Sequence, residues 1–184
     1  MTDSSRGTLD DGRIRPERTT AEMDGEFVVF VIGMRLNRLW KVHEWLPVAA
    51  AMPRMLRELD ADPDSGLLHH ESLLGWRLLV SIQYWDSFEE LRAYARDLDS
   101  EHVPAWASYN ESNAGTGDVG IFHETYVVEA DDHESVYNNM PRFGLGAAGR
   151  LRRADGEVET AGKRLGVADD DLLVGDDGRV ERDR

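Results

Sequence analysis

The feature that most constrains the fold of this chain is residues 83–106, QYWDSFEELRAYARDLDSEHVPAW. They start with the end of an apolar strand, after which Asp86 offers a carboxylate that can accept hydrogen bonds from the free N–H groups at a helix start. Glu89 follows three residues later, as in a capping box. The apolar stripe of this predicted helix consists of Phe88, Leu91 and Ala95. A strand that leads directly into a capped amphipathic helix is typical of a small α+β domain.

A second helix begins near the end of the same stretch. Ser100 is predicted to cap it, and Pro104 is compatible with its first turn, where the N–H groups have no partner within the helix. His102, Trp106 and Tyr109 follow one another at intervals of four and three residues and therefore share one face. We expect this face, with a histidine among aromatic residues, to point into the domain.

Four segments are predicted to be strands, and the third of them ends within the stretch described above. Residues 26–34 (EFVVFVIGM) form an unbroken β-branched and aromatic run, as expected of a strand buried on both faces. Residues 67–76 and 77–85 predict a hairpin that turns at Gly75. Residues 118–128 predict the last strand. Its pleat separates Ile121, His123, Thr125 and Val127 from Phe122, Glu124, Tyr126 and Val128.

A helix is predicted between the first and second strands. One face of it carries Val48, Met52, Met55, Leu56 and Leu59. A proline inside a helix costs roughly 3 kcal/mol, so we expect a short turn before Pro47, a main helix that starts there, and a kink near Pro53. The order strand, helix, strand, strand, helices, strand predicts an α+β fold of the ferredoxin-like (split βαβ) type.

We predict three regions along the chain. Residues 1–24 are polar and without periodicity, as expected of a disordered N-terminal arm. Residues 25–150 form the ferredoxin-like domain, and residues 151–184 form a charged, largely disordered tail. The segment 135–150 (SVYNNMPRFGLGAAGR) is too apolar for a free chain, so we expect it to fold back over the domain.

Composition excludes several classes of function. The formal net charge of −15 argues against nucleic acid, which requires a basic stripe, and disfavours an anionic membrane surface. The chain has no cysteine, which excludes disulfides, thiolate metal sites and cysteine nucleophiles. No apolar run approaches the roughly 18–20 residues that cross a bilayer, and the N-terminus lacks the apolar core of a signal peptide, so we expect a cytoplasmic protein.

Three short motifs are predicted to be structural. The two Gly-x-Gly-x-x-Gly matches, at 115–120 and 144–149, lack the preceding strand and following helix of a dinucleotide site, so both are interpreted as turns. His69 and His70 are adjacent on a strand and point to opposite faces, so they cannot hold one metal ion.

His102 and His123 are the candidate functional histidines. Each lies among aromatic residues on an element expected to face inwards, from a helix start and from the last strand. The commoner role for such a histidine is that of a hydrogen-bonded core residue. If the two converge on one cavity, a neutral imidazole there can accept a proton, donate a hydrogen bond or ligate haem iron.

Several long blocks of the chain resemble a known family. They are FVVFVIGMRLNRLWKVHEWLPVAAAMPRML, VSIQYWDSFEELRAYARD, HVPAWASYN, TGDVGIFHETYVV and VYNNMPRFGLG, within residues 18–149. Together they are similar to a bacterial and archaeal family grouped with the fumagillin-pathway polyketide monooxygenase. The resemblance implies a dimeric α+β barrel, in which two ferredoxin-like sheets face each other and each subunit holds a pocket between its sheet and helices. Relatives in this superfamily include antibiotic-biosynthesis and haem-degrading monooxygenases.

The resemblance also leads to three hypotheses about function. The first is a monooxygenase-like homodimer that needs no cofactor and acts on a hydrophobic small molecule, with His102 or His123 as base. Its substrate cavity would be shaped by Trp85, Trp106, Tyr109 and Tyr126. The second is a haem protein, because His102 matches the position of the haem-ligand histidine in the haem degraders, although Pro104 departs from their pattern. The third is a dimer that binds a small molecule without catalysis.

Overall fold

A computed structural model describes residues 12–166 and two short strands beyond them. The strands are β1 (Thr19–Glu22), β2 (Phe27–Leu36), β3 (Leu67–Leu74), β4 (Leu78–Trp85), β5 (Val119–Val128), β6 (Arg150–Arg153), β7 (Leu172–Val174) and β8 (Val180–Arg182). The helices are α1 (Val42–Ala61), α2 (Phe88–Arg96), α3 (His102–Ser112), α4 (Leu145–Ala148) and α5 (Ala161–Arg164), with a 3₁₀ turn at Gly156–Val158. No helix in the described part of the chain is both long enough and apolar enough to cross a membrane.

The centre of the molecule is a four-stranded antiparallel sheet in the order β3-β4-β2-β5. Helices α1, α2 and α3 cover one face of it. One core cluster joins Val28 and Trp85 of the sheet to Leu59 of α1 and Leu91 of α2. This strand order, with the helices on one side, is the ferredoxin-like arrangement, and the predicted fold class is therefore confirmed.

The pleat of the sheet places alternate residues on its two faces, and on β5 the alternation is the predicted one. On β4, Ser81 and Gln83 lie on the helix side, with Leu79 and Trp85, whereas Tyr84 lies on the outer side. On β5, His123 lies on the helix side. Gly33 of β2 is buried, and the ring of its cross-strand partner Phe122 occupies the space that a Cβ atom would take.

Helix α1 differs from the prediction. It is one continuous helix that begins at Val42 and contains both Pro47 and Pro53. Its buried residues are Ala51, Met55, Leu56 and Leu59. Burial of one large aliphatic side chain contributes roughly 1.5–3 kcal/mol, so several of them on one face offset the roughly 3 kcal/mol that a helical proline costs.

Both predicted helix caps are displaced. Ser87 caps α2, because its hydroxyl accepts a hydrogen bond from the N–H of Glu90 at 3.2 Å. Ser100 is not the cap of α3. It is buried, and its hydroxyl donates to the carbonyl of Asp97 at 2.8 Å, which closes the end of α2.

The predicted boundaries of the domain also need correction. Strand β1 lies within the supposed N-terminal arm and pairs with β6, which lies within the supposed tail. The segment 135–150 folds back over the outer face of the sheet, as predicted: Tyr137 and Leu145 pack with Phe27 of β2. Residues 1–11 of the predicted arm, and the tail beyond 166 apart from β7 and β8, lie outside the described residues.

Candidate functional site

A cavity of about 710 Å³ lies between the helix side of the sheet and helices α1, α2 and α3. Ligand pockets in proteins commonly have volumes of about 300–1,000 Å³, so this one is large enough for a small organic molecule. Its wall is mainly apolar. The apolar residues that line it from the sheet and the helices include Phe30, Met34, Val48, Met52, Leu91 and Ile121.

The floor of the cavity changes from apolar to polar along the strands. One row across the sheet is apolar and consists of Ile121, Met34, Leu79 and Leu74. The next row contains His123, Ile32, Ser81 and Ser72, and all four line the cavity. A ligand that binds against this floor would therefore contact one imidazole and two hydroxyl groups within an otherwise apolar surface.

His123 lies open to the cavity on this floor. Its ring centroid is 5.7 Å from that of Phe30 on the neighbouring strand. The side chain is solvent-exposed and lies on β5, an edge strand of the sheet. An accessible imidazole beside an aromatic ring can exchange a proton with a bound molecule.

His102 enters the same cavity from the first turn of α3. Burial lowers its pKa, opposed by a backbone hydrogen bond with Ala95, so the neutral imidazole is favoured. Its Nδ1 is buried and has no hydrogen-bond partner. Its ring lies 6.3 Å from that of Tyr94. The two candidate histidines therefore reach the wall of one cavity, from opposite sides.

Glu58 of α1 fixes the position of His102. Its carboxylate accepts hydrogen bonds from the hydroxyl of Tyr94 at 2.7 Å and from the N–H of Glu101 at 3.0 Å. Burial, followed by the neighbouring Glu58, raises the pKa of Tyr94, which keeps the phenol protonated as a donor. One side chain thus joins α1, α2 and the start of α3, directly before His102.

Two of the four predicted pocket aromatics line the cavity. Trp106 and Tyr109 stack on each other with ring centroids 5.7 Å apart, and the Tyr109 hydroxyl donates to the carbonyl of Val119 at 3.1 Å. Trp85 and Tyr126 are elsewhere. Trp85 is fully buried in the closed core beyond the end of the cavity, and Tyr126 lies on the outer face of the sheet, where it donates to Glu124 at 2.5 Å.

A buried polar chain that the sequence reasoning did not single out ends at the cavity. The indole N–H of Trp85 donates to Oε1 of Gln83 at 3.0 Å, which turns the amide NH₂ towards Oγ of Ser81 at 3.5 Å. Ser81 and Gln83 are only 3% and 4% exposed. Because Ser81 already accepts a hydrogen bond, its own hydroxyl hydrogen is left for another acceptor. Two polar residues on the buried face of an apolar strand were the signal in the sequence.

A buried carboxylate anchors the helix that forms one wall of the cavity. Asp118, at the start of β5, accepts hydrogen bonds from Lys41 and, at 2.5 Å, from Arg38. The hydrogen bond from Lys41, supported by the charge of Arg38, lowers the pKa of Asp118. These contacts hold the segment that leads into α1.

Metal ligation has no support in the described part of the chain, where no group of three or more histidine and acidic side chains could hold an ion. His70 contacts Asp60 of α1 at 3.3 Å, whereas His69 contacts Glu71 at 3.0 Å and packs against Tyr84 on the outer side. The two side chains point to opposite faces, as predicted.

The sequence of the chain matches that of a known protein family. The sequence model of the Monooxygenase af470-like family matches residues 27–145, which include the whole sheet and helices α1 to α3. A curated relative, Monooxygenase af470 of Aspergillus fumigatus, is 29% identical over 180 residues, covering 86% of this chain. The chain spans 60% of the length of that relative.

Solved structures of similar architecture are more distant. SnoaB, a cofactor-independent oxygenase from Streptomyces nogalater, matches with a TM-score of 0.40 and 13% identity over 55% of this chain and 91% of its own. A dimeric protein of unknown function and ferredoxin-like fold from Bacteroides fragilis matches with a TM-score of 0.39 and 18% identity, over 54% and 96% of the two chains. The family match covers more than half of the sequence, and the chain belongs to the Monooxygenase af470-like family.

Proposed function

We propose that this protein is a monooxygenase that oxidises a hydrophobic small molecule in the cavity between sheet and helices. The observation that carries the proposal is the presence of two histidines, His102 and His123, on the wall of one apolar cavity in a chain of this family. The cavity supplies a site for an oily ligand, and the imidazoles supply a base.

The proposed reaction starts with proton transfer from an acidic C–H group of the substrate. The accessible His123 is the better placed base, and His102 is the alternative. The resulting carbanion reduces O₂ to give a hydroperoxide, which loses water: a CH₂ group and O₂ become a C=O group and H₂O. All four electrons come from the substrate, so the step needs no cofactor. The apolar walls keep water from the carbanion.

Ser81 is placed to hold the oxygen atom that gains charge when the proton leaves. His123 and Ser81 lie in one row with a single residue of β2 between them. Two strand spacings separate their Cα atoms by about 10 Å, which leaves room for one ring of a substrate between the two side chains. A hydroxyl donor at an enolate oxygen stabilises the anion.

Haem ligation by His102 is the alternative use of this cavity. An axial ligand needs a ring nitrogen that faces the cavity, and His102 lies in the cavity wall with its Nδ1 buried. We derive no step through haem, because the reaction proposed above needs none. A Soret band shift on haem addition that disappears in His102→Ala would reverse this conclusion.

We also propose that the protein is a homodimer that pairs through the outer face of its sheet. Apolar side chains on the central strands (Val31, Val80 and Ile82) and on β5 (Phe122) are only partly buried there. The segment around Tyr137 and Leu145 covers the other end of that face. The uncovered apolar part of this face can be buried against the same part of a second copy in a symmetric dimer.

Oxygen consumption tests the proposed activity. Purified protein freed of metals and flavins is mixed with enolisable aromatic ketones, such as anthrones, and O₂ uptake and product mass are followed. We expect turnover with a mass gain of 14 (two hydrogens lost and one oxygen gained), a fall of roughly 10²–10⁴-fold in His123→Ala, and loss in the double variant with His102→Ala. Binding without O₂ uptake across such a panel would favour the non-catalytic hypothesis, and unchanged turnover in the double variant would exclude both histidines.

A further inference from the structure

Three large apolar side chains at one end of the sheet are unusually exposed. Trp40 is 74% exposed, Leu74 is 83% exposed and Trp76 is 86% exposed. Val42 and Leu46, at the start of α1, are also exposed. Leaving this much apolar surface in water is unfavourable, and contiguous patches of this kind commonly mark interaction sites.

Backbone contacts bring the two tryptophans to the same end of the molecule. The N–H of Leu36, the last residue of β2, donates to the carbonyl of Arg77 at 2.8 Å, directly after Trp76 in the β3–β4 turn. The side chain of Arg77 donates to the carbonyl of Asn37 at 3.5 Å. Trp40 follows three residues later, in a turn closed by the hydrogen bond from Lys41 to Arg38.

This surface borders an opening of the cavity. Leu74 is both highly exposed and part of the cavity wall. His43, on the first turn of α1, also lines the cavity, and its side chain is 76% exposed. The apolar row of the cavity floor therefore ends at Leu74, two residues before the exposed Trp76.

Cations surround these apolar residues. Arg35, Arg38, Lys41 and Arg77 lie within the segments that form this end of the sheet. Arg38 and Lys41 share the single buried carboxylate of Asp118, whereas the partners of Arg35 and Arg77 are neutral groups of Asn37. Glu44, in the first turn of α1, is a second carboxylate of this region, so four cations face two carboxylates and the local charge is positive, although the whole chain carries −15. Screening limits exposed charges to about 8–10 Å, so the local sign governs contact.

We propose that this tryptophan surface (Trp40, Val42, Leu46, Leu74 and Trp76 with their flanking cations) docks on an anionic lipid surface, from which an apolar ligand enters the cavity. Tryptophan is favoured at the boundary between water and lipid, where its ring is buried and its N–H stays hydrated. Flanking arginine and lysine are attracted to anionic headgroups. The net charge of the chain alone led to the opposite expectation, because it averages over surfaces that face away from the membrane.

Vesicle cosedimentation tests the proposal. The full chain is mixed with vesicles of phosphatidylcholine and phosphatidylglycerol in equal parts, or of phosphatidylcholine alone, at 50 and 500 mM NaCl. We expect binding to the anionic vesicles that weakens at high salt, and a loss of about tenfold or more in the Trp40→Ala/Trp76→Ala double variant. Leu98→Ala is the matched control, because Leu98 is 80% exposed but lies outside this surface. Circular dichroism checks that each variant is folded.

Three results would overturn the proposal. One is an absence of binding to anionic vesicles at low salt. Another is equal binding by the double variant and the wild type. The third is conversion of a stable oligomer into monomers by the double variant, which would assign the tryptophan surface to an interface between copies of the chain.

Discussion

At the scale of single residues, His102 makes the stability of the protein depend on pH. Its pKa in the folded protein lies below its ordinary value of 6.5 because burial disfavours the charged ring. Below about pH 6.5 the unfolded chain binds a proton that the folded chain does not, so His102 lowers the stability as the pH falls, until the pH drops below the folded pKa. Above that window the contribution is constant.

We therefore expect His102→Gln to change the pH dependence of stability. The free energy of unfolding of the wild type minus that of the variant should be larger at pH 7.5 than at pH 5.5, as measured by urea denaturation. His43→Gln controls for the removal of an imidazole at an exposed position on the same cavity. A difference that stays constant or increases towards low pH would contradict the assigned burial effect.

Ser81 allows a second test at the residue scale. Removing its hydroxyl in Ser81→Ala takes away the proposed donor to the substrate oxygen but leaves the apolar packing almost unchanged. We expect kcat/KM to fall by roughly 10²-fold, with most of the loss in kcat, because the donor acts on charge that develops in the transition state. Ser72→Ala, on the exposed edge strand opposite, should change kcat less. An equal effect in both variants would assign Ser81 a packing role only.

At the scale of elements, the placement of α3 depends on a carboxylate from another helix. Glu58→Ala would remove the acceptor for Tyr94 and for the backbone N–H of Glu101. Hydrogen bonds to a charged group contribute about 1.5–3 kcal/mol each, so we expect a loss of about 2 kcal/mol or more in chemical denaturation. Tyr94→Phe keeps the contact with Glu101 and should cost less. Equal stability of Glu58→Ala and the wild type would show that packing alone positions His102.

The fold was predictable because local patterns and strand order agree. Alternation along β5 separated His123 from Tyr126, and in the structure His123 lines the cavity whereas Tyr126 lies on the outer face. The hypothesis that Tyr126 shapes the cavity was wrong because it disregarded this separation. Alternation predicts which face of the sheet a residue lies on, but it does not predict whether that part of the strand faces the cavity or the closed core. Trp85 therefore shares a face with the cavity yet lies in the closed core, where the packed ends of α1 and α2 meet the sheet.

Contacts between distant segments were not predictable from local patterns. The pairing of Ala21 with Leu151 joins residues 130 positions apart, and nothing in either short polar segment indicates a partner. Likewise, the continuity of α1 through Pro47 and Pro53 depends on burial against the sheet, which outweighs the local preference against helical proline. The cavity arises from the same long-range packing, so its lining could be only partly named in advance.

At the scale of the whole molecule, the two faces of the sheet have different roles. Helices cover one face and leave a cavity, whereas the other face is covered only in part by the segment around Tyr137 and Leu145. The uncovered part of the outer face belongs to the central strands β2 and β4 and to β5. Burying it between two copies would remove apolar area from water without closing the cavities, which lie on the far side of each sheet.

A single charge on the outer face tests this arrangement. Ile82 pairs across the strands with Glu71 on one side and Val31 on the other. In the monomer, the lysine of Ile82→Lys would therefore have a carboxylate beside it. In a face-to-face dimer, the lysines of the two copies would be brought together and would repel each other. We expect the variant to stay folded, as judged by circular dichroism, and to elute as a monomer in size-exclusion chromatography with light scattering, at concentrations where the wild type is a dimer. Leu98→Lys places the same charge on an exposed site off this face and should leave the dimer intact. A dimer that persists in Ile82→Lys would show that the copies pair through another surface, because two lysines and the Glu71 carboxylates beside them would have to lose their hydration at this interface.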